Sequence, residues 1–264
     1  MVAPFAFGLL TVLLGGVSQP GQTQVADCSA DNISERVHIA YVYDGDTVKI
    51  DDGRRLRFIG INTPELGHNE EAAQPLAQTA RTDLKNLLNK HNNTLLLQHG
   101  KQKLDRYGRL LAHAFLENGE NIAAYLLREG LATTFVIPPN DWGVRCYQQI
   151  ENTARNAKRG LWTLPGYRSY TAESLPPDSY GFRIVNGRVT ASHRTRHNIW
   201  LKLDGRLSVQ IPLENISSFK ALDFNTLSGN RIEVRGWIRQ NGNRLKLKVQ
   251  HPAALVIMST SHAP

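Results

Sequence analysis

One order of elements occurs twice along the 264 residues, and it narrows the possible folds more than any bulk property does. In the first half, strand-length apolar runs at residues 39–43, 47–50 and 56–61 are joined by the tight turns "DGD" and "DDGRR". A helix is expected over residues 75–90, with Leu76, Ala80, Leu84, Leu87 and Leu88 on its apolar face and Pro75 in its first turn. The strands "TLLLQH" and "LLAHAFL" follow across the polar loop "GKQKLDRYGR". Two more helices are expected, over residues 122–129 with Asn121 as cap and Gly130 as stop, and over residues 144–157. In the second half "GRVTAS", "IWLKL" and "LSVQI" precede a helix-like "ENISSFKAL", and then come "RIEVRGWI" and "RLKLKV".

Three strands, a helix and two strands is the order of a five-stranded Greek-key barrel of the oligonucleotide-binding type, the OB-fold. The expected class is therefore α+β: one such barrel with added helices, then a second, smaller OB-like barrel. No internal sequence repeat relates the halves. The polar, proline-containing "PGYRSYTAESLPPDSYG" reads as the connection. The expected units are residues 27–164, a linker at 165–177, and residues 178–264.

Charge separates these halves. Residues 1–177 carry 18 Lys and Arg against 18 Asp and Glu, whereas residues 178–264 carry 13 against 5, so the whole net +8 lies in the second unit. Such an excess suits a polyanionic partner. The N-terminus has an apolar run at residues 5–17 followed by Pro, Gly, Gln and small residues, which reads as a signal peptide over residues 1–26, either removed or kept as an anchor. Export to a periplasmic or extracellular compartment makes the only two cysteines, Cys28 and Cys146, a candidate disulfide.

The chemistry-bearing residues cluster in the first unit. In "YVYDGDTVKI" the Asp-Gly pair suits a hairpin turn, but Asp46 lies beyond it and shares a strand face with Val48 and Ile50. A carboxylate on an inward face needs a cation or several donors. In "LRFIGINTPEL", Arg57 stands in a strand that is apolar on both faces, and "NTPE" offers the oxygens of Asn62, Thr63 and Glu65. Pro64 restricts Thr63 to extended geometry, which fixes its carbonyl direction. "DRYGR" sets Arg106 and Arg109 around a glycine turn. The histidines show no metal-ligand spacing.

Taken together, "DGDT", the arginine-bearing strand, "NTPE" and "DRYGR" resemble the staphylococcal nuclease (thermonuclease) family over roughly residues 37–162, ending at "RGLW". The resemblance implies a five-stranded barrel that hydrolyses DNA and RNA phosphodiesters with calcium as cofactor. It implies Asp46 as the main calcium carboxylate, Asp44 as a supporting acid, Thr63 as a carbonyl ligand, and Asn62 where the family usually has a second aspartate. It further implies Glu65 as the residue that activates or orients water, and Arg57 and Arg109 as the arginines that grip the scissile phosphate. Arg106 and Tyr107 would lie beside the phosphate subsite. Base-stacking tyrosines of the family have no clear counterpart in "TTFVIPPND", where only Phe135 offers a ring.

In the second unit, "SHRTRHN", with Arg194 and Arg196, and "RQNGNR" would be the loops with which such barrels hold single strands. Trp200, Phe219 and Trp237 are candidates both for stacking and for the core. The expected function is an exported, calcium-dependent nuclease, thermonuclease-like and acting as an endonuclease on DNA or RNA, whose second barrel holds single-stranded nucleic acid. The competing reading is a binding module on a degenerate nuclease barrel. The joint presence of Asp46, Glu65, Arg57 and Arg109 favours catalysis, and Asn62 alone favours the other.

Overall fold

The computed structural model describes residues 28–67, 72–242 and 244–258; the leader expected over residues 1–26 lies outside them. The chain opens with β1 (Glu35–Val42), β2 (Thr47–Ile50) and β3 (Arg55–Phe58), which form an antiparallel meander. After helix α1 (Ala77–Lys90) come β5 (Thr94–Leu104) and β6 (Leu110–Phe115), counted after a short β4 (Gly60–Asn62). The ring β1-β2-β3-β6-β5 is closed, with β3 and β6 parallel and the other neighbours antiparallel. Inward residues two apart on β2, β3 and β5 (Val48 and Ile50, Leu56 and Phe58, Leu95 and Leu97) fill the barrel.

The run expected as one strand over residues 56–61 is divided. Gly60 turns at φ 89°, and a Cβ there would stand 2.5 Å from the Tyr147 ring, so only glycine allows this approach. The chain leaves the barrel at that point as β4, which pairs antiparallel with β7 (Thr133–Phe135). Helix α1 also begins later than expected: Leu76 in the left-handed region is its N-cap, and Pro75 stays outside. All of "GKQKL" continues β5, which shortens the hairpin loop to residues 105–109. Helix α2 (Ile122–Arg128) is capped by Asn121, whose side chain accepts from the Ala124 N–H at 3.0 Å. Helix α3 (Val144–Asn156) is tied at its start to the segment that precedes β1 by the Cys28–Cys146 disulfide, whose Cα atoms lie 5.8 Å apart.

The second half closes a ring in the same order. Strands β9 (Gly181–Arg194), β10 (Asn198–Leu203), β11 (Leu207–Pro212), β12 (Arg231–Asn241) and β13 (Arg244–Lys248) follow the sequence β9-β10-β11-β13-β12 and close through β12 to β9, with β11 and β13 parallel. A 3₁₀ helix, Leu213–Phe219, stands where the helix was expected. Two strands are added at the rim: β8 (Ser169–Thr171) runs parallel to β9, and β14 (Leu255–Met258) pairs with β12. The segment expected as a linker therefore contains β8 and buries Ala172 and Leu175 against the second core.

The two barrels are packed together and not merely tethered. Arg235 of β12 reaches the buried Glu151 of α3 at 2.5 Å, and Arg155 of α3 pairs with Glu233 of β12 at 2.9 Å. Phe135, Trp237 and Phe182 stack edge to face in series, with ring centroids 5.2 and 5.3 Å apart.

Candidate active site

The turn between β1 and β2 delivers two carboxylates to the mouth of the first barrel. Asp44 accepts from the Asp46 N–H at 2.9 Å, which shapes the turn, and β2 begins one residue after Asp46. Asp46 is nonetheless only 2% exposed, as an inward strand position would be. Its Oδ1 accepts from the Thr47 hydroxyl at 3.1 Å, and its Oδ2 accepts from the Thr63 N–H at 2.8 Å and pairs with Arg57 at 3.0 Å. The question that an inward aspartate raises is answered by two neutral donors and one guanidinium.

Arg57 is largely covered. Its Nη2 donates to the Ile61 carbonyl at 3.0 Å and the Asn62 Oδ1 at 3.1 Å while pairing with Asp46, and its Nη1 donates to the Phe58 carbonyl. Three oxygens thus converge on one positively charged nitrogen. The Asn62 amide spends its other end on the Thr63 carbonyl, Nδ2 to O at 2.8 Å. Burial, with the neighbouring charge of Asp46, pushes the Asp44 carboxyl up to about 7, and Glu65 adds to the same effect. Glu65 is exposed at the rim, where its N–H donates to the Gln74 side chain at 3.2 Å.

Asp44, Asp46, Asn62, Thr63, Glu65 and Arg57 are brought to this one mouth. Arg109 precedes Leu110, the β6 residue level with Leu56, so it enters on the strand beside the one that bears Arg57. Its guanidinium is held by Asp105 at 2.7 Å. Burial alone would raise Asp105, but hydrogen bonds from Arg109 and the Tyr107 backbone hold its carboxyl below the ordinary range. Tyr107 is 68% exposed and lies under both Arg106 and Arg109, 4.7 and 5.6 Å from its ring centre. Arg194 and Arg196 are exposed at the end of β9 and in the following turn, on the other barrel.

Among the described residues no three His, Cys, Asp or Glu side chains form a ready-made metal cage. The donor set fits a hard cation with few protein ligands: a carboxylate, an amide oxygen and a carbonyl oxygen, all oxygen, with two further carboxylates nearby. The Asp46 and Asn62 oxygens are occupied by Arg57 in this structure, so a cation held by them would take the place of that nitrogen.

A closed Greek-key barrel with carboxylates and a largely covered arginine at one mouth, and two further arginines on the hairpin that leads into the neighbouring strand, is an arrangement suited to a phosphate-bearing substrate. The staphylococcal nuclease homologue model matches residues 55–164. The thermonuclease of Staphylococcus intermedius is 34% identical over 139 residues, 51% of this chain and 80% of that protein. The Staphylococcus hyicus thermonuclease is 34% identical over 136 residues, 50% of this chain and 79% of that one. Endonuclease YncB of Bacillus subtilis is 33% identical over 128 residues, 47% of this chain and 60% of that protein. The chain belongs to the staphylococcal nuclease family, and it is a nuclease, a phosphodiester hydrolase.

Sequence reasoning missed the Thr47 hydroxyl and the Thr63 N–H as donors to Asp46, and all of β7, whose Thr133 hydroxyl donates to the Asn62 carbonyl at 3.4 Å. The signal for Thr47 was present in "DGDT", next to the buried acid. "TTF" was too short to stand out as a strand.

Proposed function

We propose that the mouth of the first barrel hydrolyses nucleic-acid phosphodiesters with calcium held at Asp46, the Asn62 amide oxygen and the Thr63 carbonyl, with Asp44 in support. The observation that carries this is the all-oxygen set gathered at one mouth: the Asp46 carboxylate and Asn62 Oδ1, both now turned to Arg57, and the Thr63 carbonyl, now turned to the Asn62 Nδ2. Calcium, when bound, would supply positive charge beside a phosphate oxygen and tolerate irregular ligand geometry.

The chain's own groups do the rest. The Glu65 carboxylate accepts the proton of the attacking water as its oxygen bonds to phosphorus. Arg57, released from Asp46 and Asn62 when an ion takes those oxygens, and Arg109 would then face the equatorial oxygens, where planar guanidinium forks match a phosphate better than a point charge does. The bond to the leaving oxygen breaks as that oxygen takes the electron pair. Arg106 and Tyr107 line the entry. Glu65→Gln and Arg109→Ala should each lower turnover by about 10²–10³ with the fold retained, because neither side chain packs in the core. Wild-type turnover in either folded variant would remove this mechanism.

The second barrel serves to hold single strands. Of its aromatic candidates, Phe219 is buried and Trp237 is packed between Phe135 and Phe182. Trp200 is partly exposed, with Lys246 5.4 Å from its ring centre, and joins Arg194 and Arg196 as a binding residue. The disulfide agrees with an oxidising compartment, and we place the enzyme in the periplasm or outside the cell.

A further inference from the structure

Beside the mouth, the outer surface of β1, β2 and β3 carries an arrangement that starts at Arg57 and runs on beyond the catalytic residues. The register sets two rows across the strands. One is Thr47 and Arg57 with Tyr43 alongside, since the Tyr43 N–H donates to the Thr47 carbonyl at 2.9 Å; the next is Tyr41, Lys49 and Arg55. Two residues along a strand separate the rows by about 7 Å. Tyr41 and Tyr43 meet edge to face at 5.1 Å. Arg55 stands over the Tyr43 ring at 5.0 Å, and Arg81 of α1 stands over Tyr41 at 5.4 Å while donating to its hydroxyl at 2.8 Å.

The charge in this patch is not neutralised. Arg54, next in sequence, is paired with both Glu35 and Asp52, and Arg36 is paired with Glu117. Arg55, Lys49 and Arg81 stand in no ion pair among the described residues, and neither row contains an acid. Two partly exposed tyrosines and three unneutralised cations lead directly away from Arg57. Aromatic faces next to a cationic path are what a single strand needs, since every base has a face to stack and every linkage a phosphate.

We infer that this surface is a substrate track, which holds the single-stranded segment flanking the scissile phosphate: bases lie against Tyr43 and Tyr41, and phosphates lie on Arg55, Lys49 and Arg81. The inference rests on the nuclease reading and deepens it by fixing the side on which the substrate strand runs.

The test is equilibrium binding of a short fluorescent single-stranded DNA to the full chain in chelator, at several salt concentrations, with thermal melts to check folding. Arg55→Gln and Lys49→Gln, both at exposed positions, should each lower the log–log salt slope by about 0.7, and together by about 1.4. Tyr41→Ala should weaken binding roughly tenfold, whereas Tyr41→Phe, which keeps the ring, should stay near wild type. Arg36→Gln, an exposed residue outside the track, should leave the slope unchanged. An unchanged slope in the folded Arg55→Gln/Lys49→Gln variant overturns the track. So does an equal fall of the slope in Arg36→Gln, which would mean diffuse attraction. Failure of the wild type to cleave any nucleic acid with calcium would instead remove the nuclease reading.

Discussion

Asn62 is the residue at which this site departs most from its relatives' expected pattern, and its bonds say what a change would do. Its Oδ1 accepts from Arg57 and its Nδ2 donates to the Thr63 carbonyl. In Asn62→Asp that second bond becomes two facing oxygens, at a cost of about 1–3 kcal/mol without metal. The same change adds a charged ligand, so calcium should bind more tightly and recover the lost stability. Calorimetric titration and calcium-dependent melting of both proteins check this; equal affinities would show that Asn62 is not a ligand. His113, 2% exposed, supplies a pH prediction away from the site. Its Nδ1 lies 2.9 Å from the Tyr147 hydroxyl, and burial pushes its pKa down from 6.5 to about 3. The folded state therefore favours neutral His113. That contribution is fully present above pH 6.5 and is lost as pH falls from there toward 3, at up to about 1.4 kcal/mol per pH unit. His113→Gln should flatten this part of the stability profile in urea unfolding; an unchanged profile would place the acid sensitivity elsewhere.

At the scale of elements, the seam between α3 and β12 links the second barrel to the first barrel's site. Glu151 is 1% exposed; one oxygen accepts from the Thr134 N–H of β7 at 2.7 Å and the other meets Arg235. Strand β7 in turn pairs with β4, which carries Asn62. Arg235→Met leaves the buried Glu151 charge with one backbone donor, and should cost about 3–5 kcal/mol in urea unfolding. Adding Glu151→Gln should return most of that loss, because no unpaired charge then remains. A cost below 1 kcal/mol for Arg235→Met would mean that water reaches the pair. None of this seam was legible in the sequence. Barrel strands were found because apolar alternation and turn residues are local, and Asn121 was found because capping is local too. The break at Gly60 was not, because it depends on Tyr147 reaching back from α3. Nor was β8, which has three residues and owes its place to β9. The site residues were legible as motifs, and "DGDT" itself holds the Thr47 donor to Asp46, but the Thr63 backbone N–H that also satisfies Asp46 is marked by no side-chain pattern.

Over the whole molecule, two rings of the same strand order differ in charge. The first presents its acids and arginines at one mouth, and the second carries the positive excess. The disulfide closes a span of 118 residues around the first barrel and should contribute about 4–5 kcal/mol in the chain-entropy description. On the proposed reading, calcium and Glu65 together act on a phosphodiester at the mouth of the first barrel. The direct measurement is single-turnover cleavage of a single-stranded oligonucleotide by the full chain across a calcium titration, for wild type and Glu65→Gln. The expected result is a wild-type rate that rises to saturation with calcium and vanishes in chelator, and a Glu65→Gln rate lower by about 10²–10³ at every calcium concentration. Cleavage that persists in chelator, or equal rates for the two proteins, would contradict it.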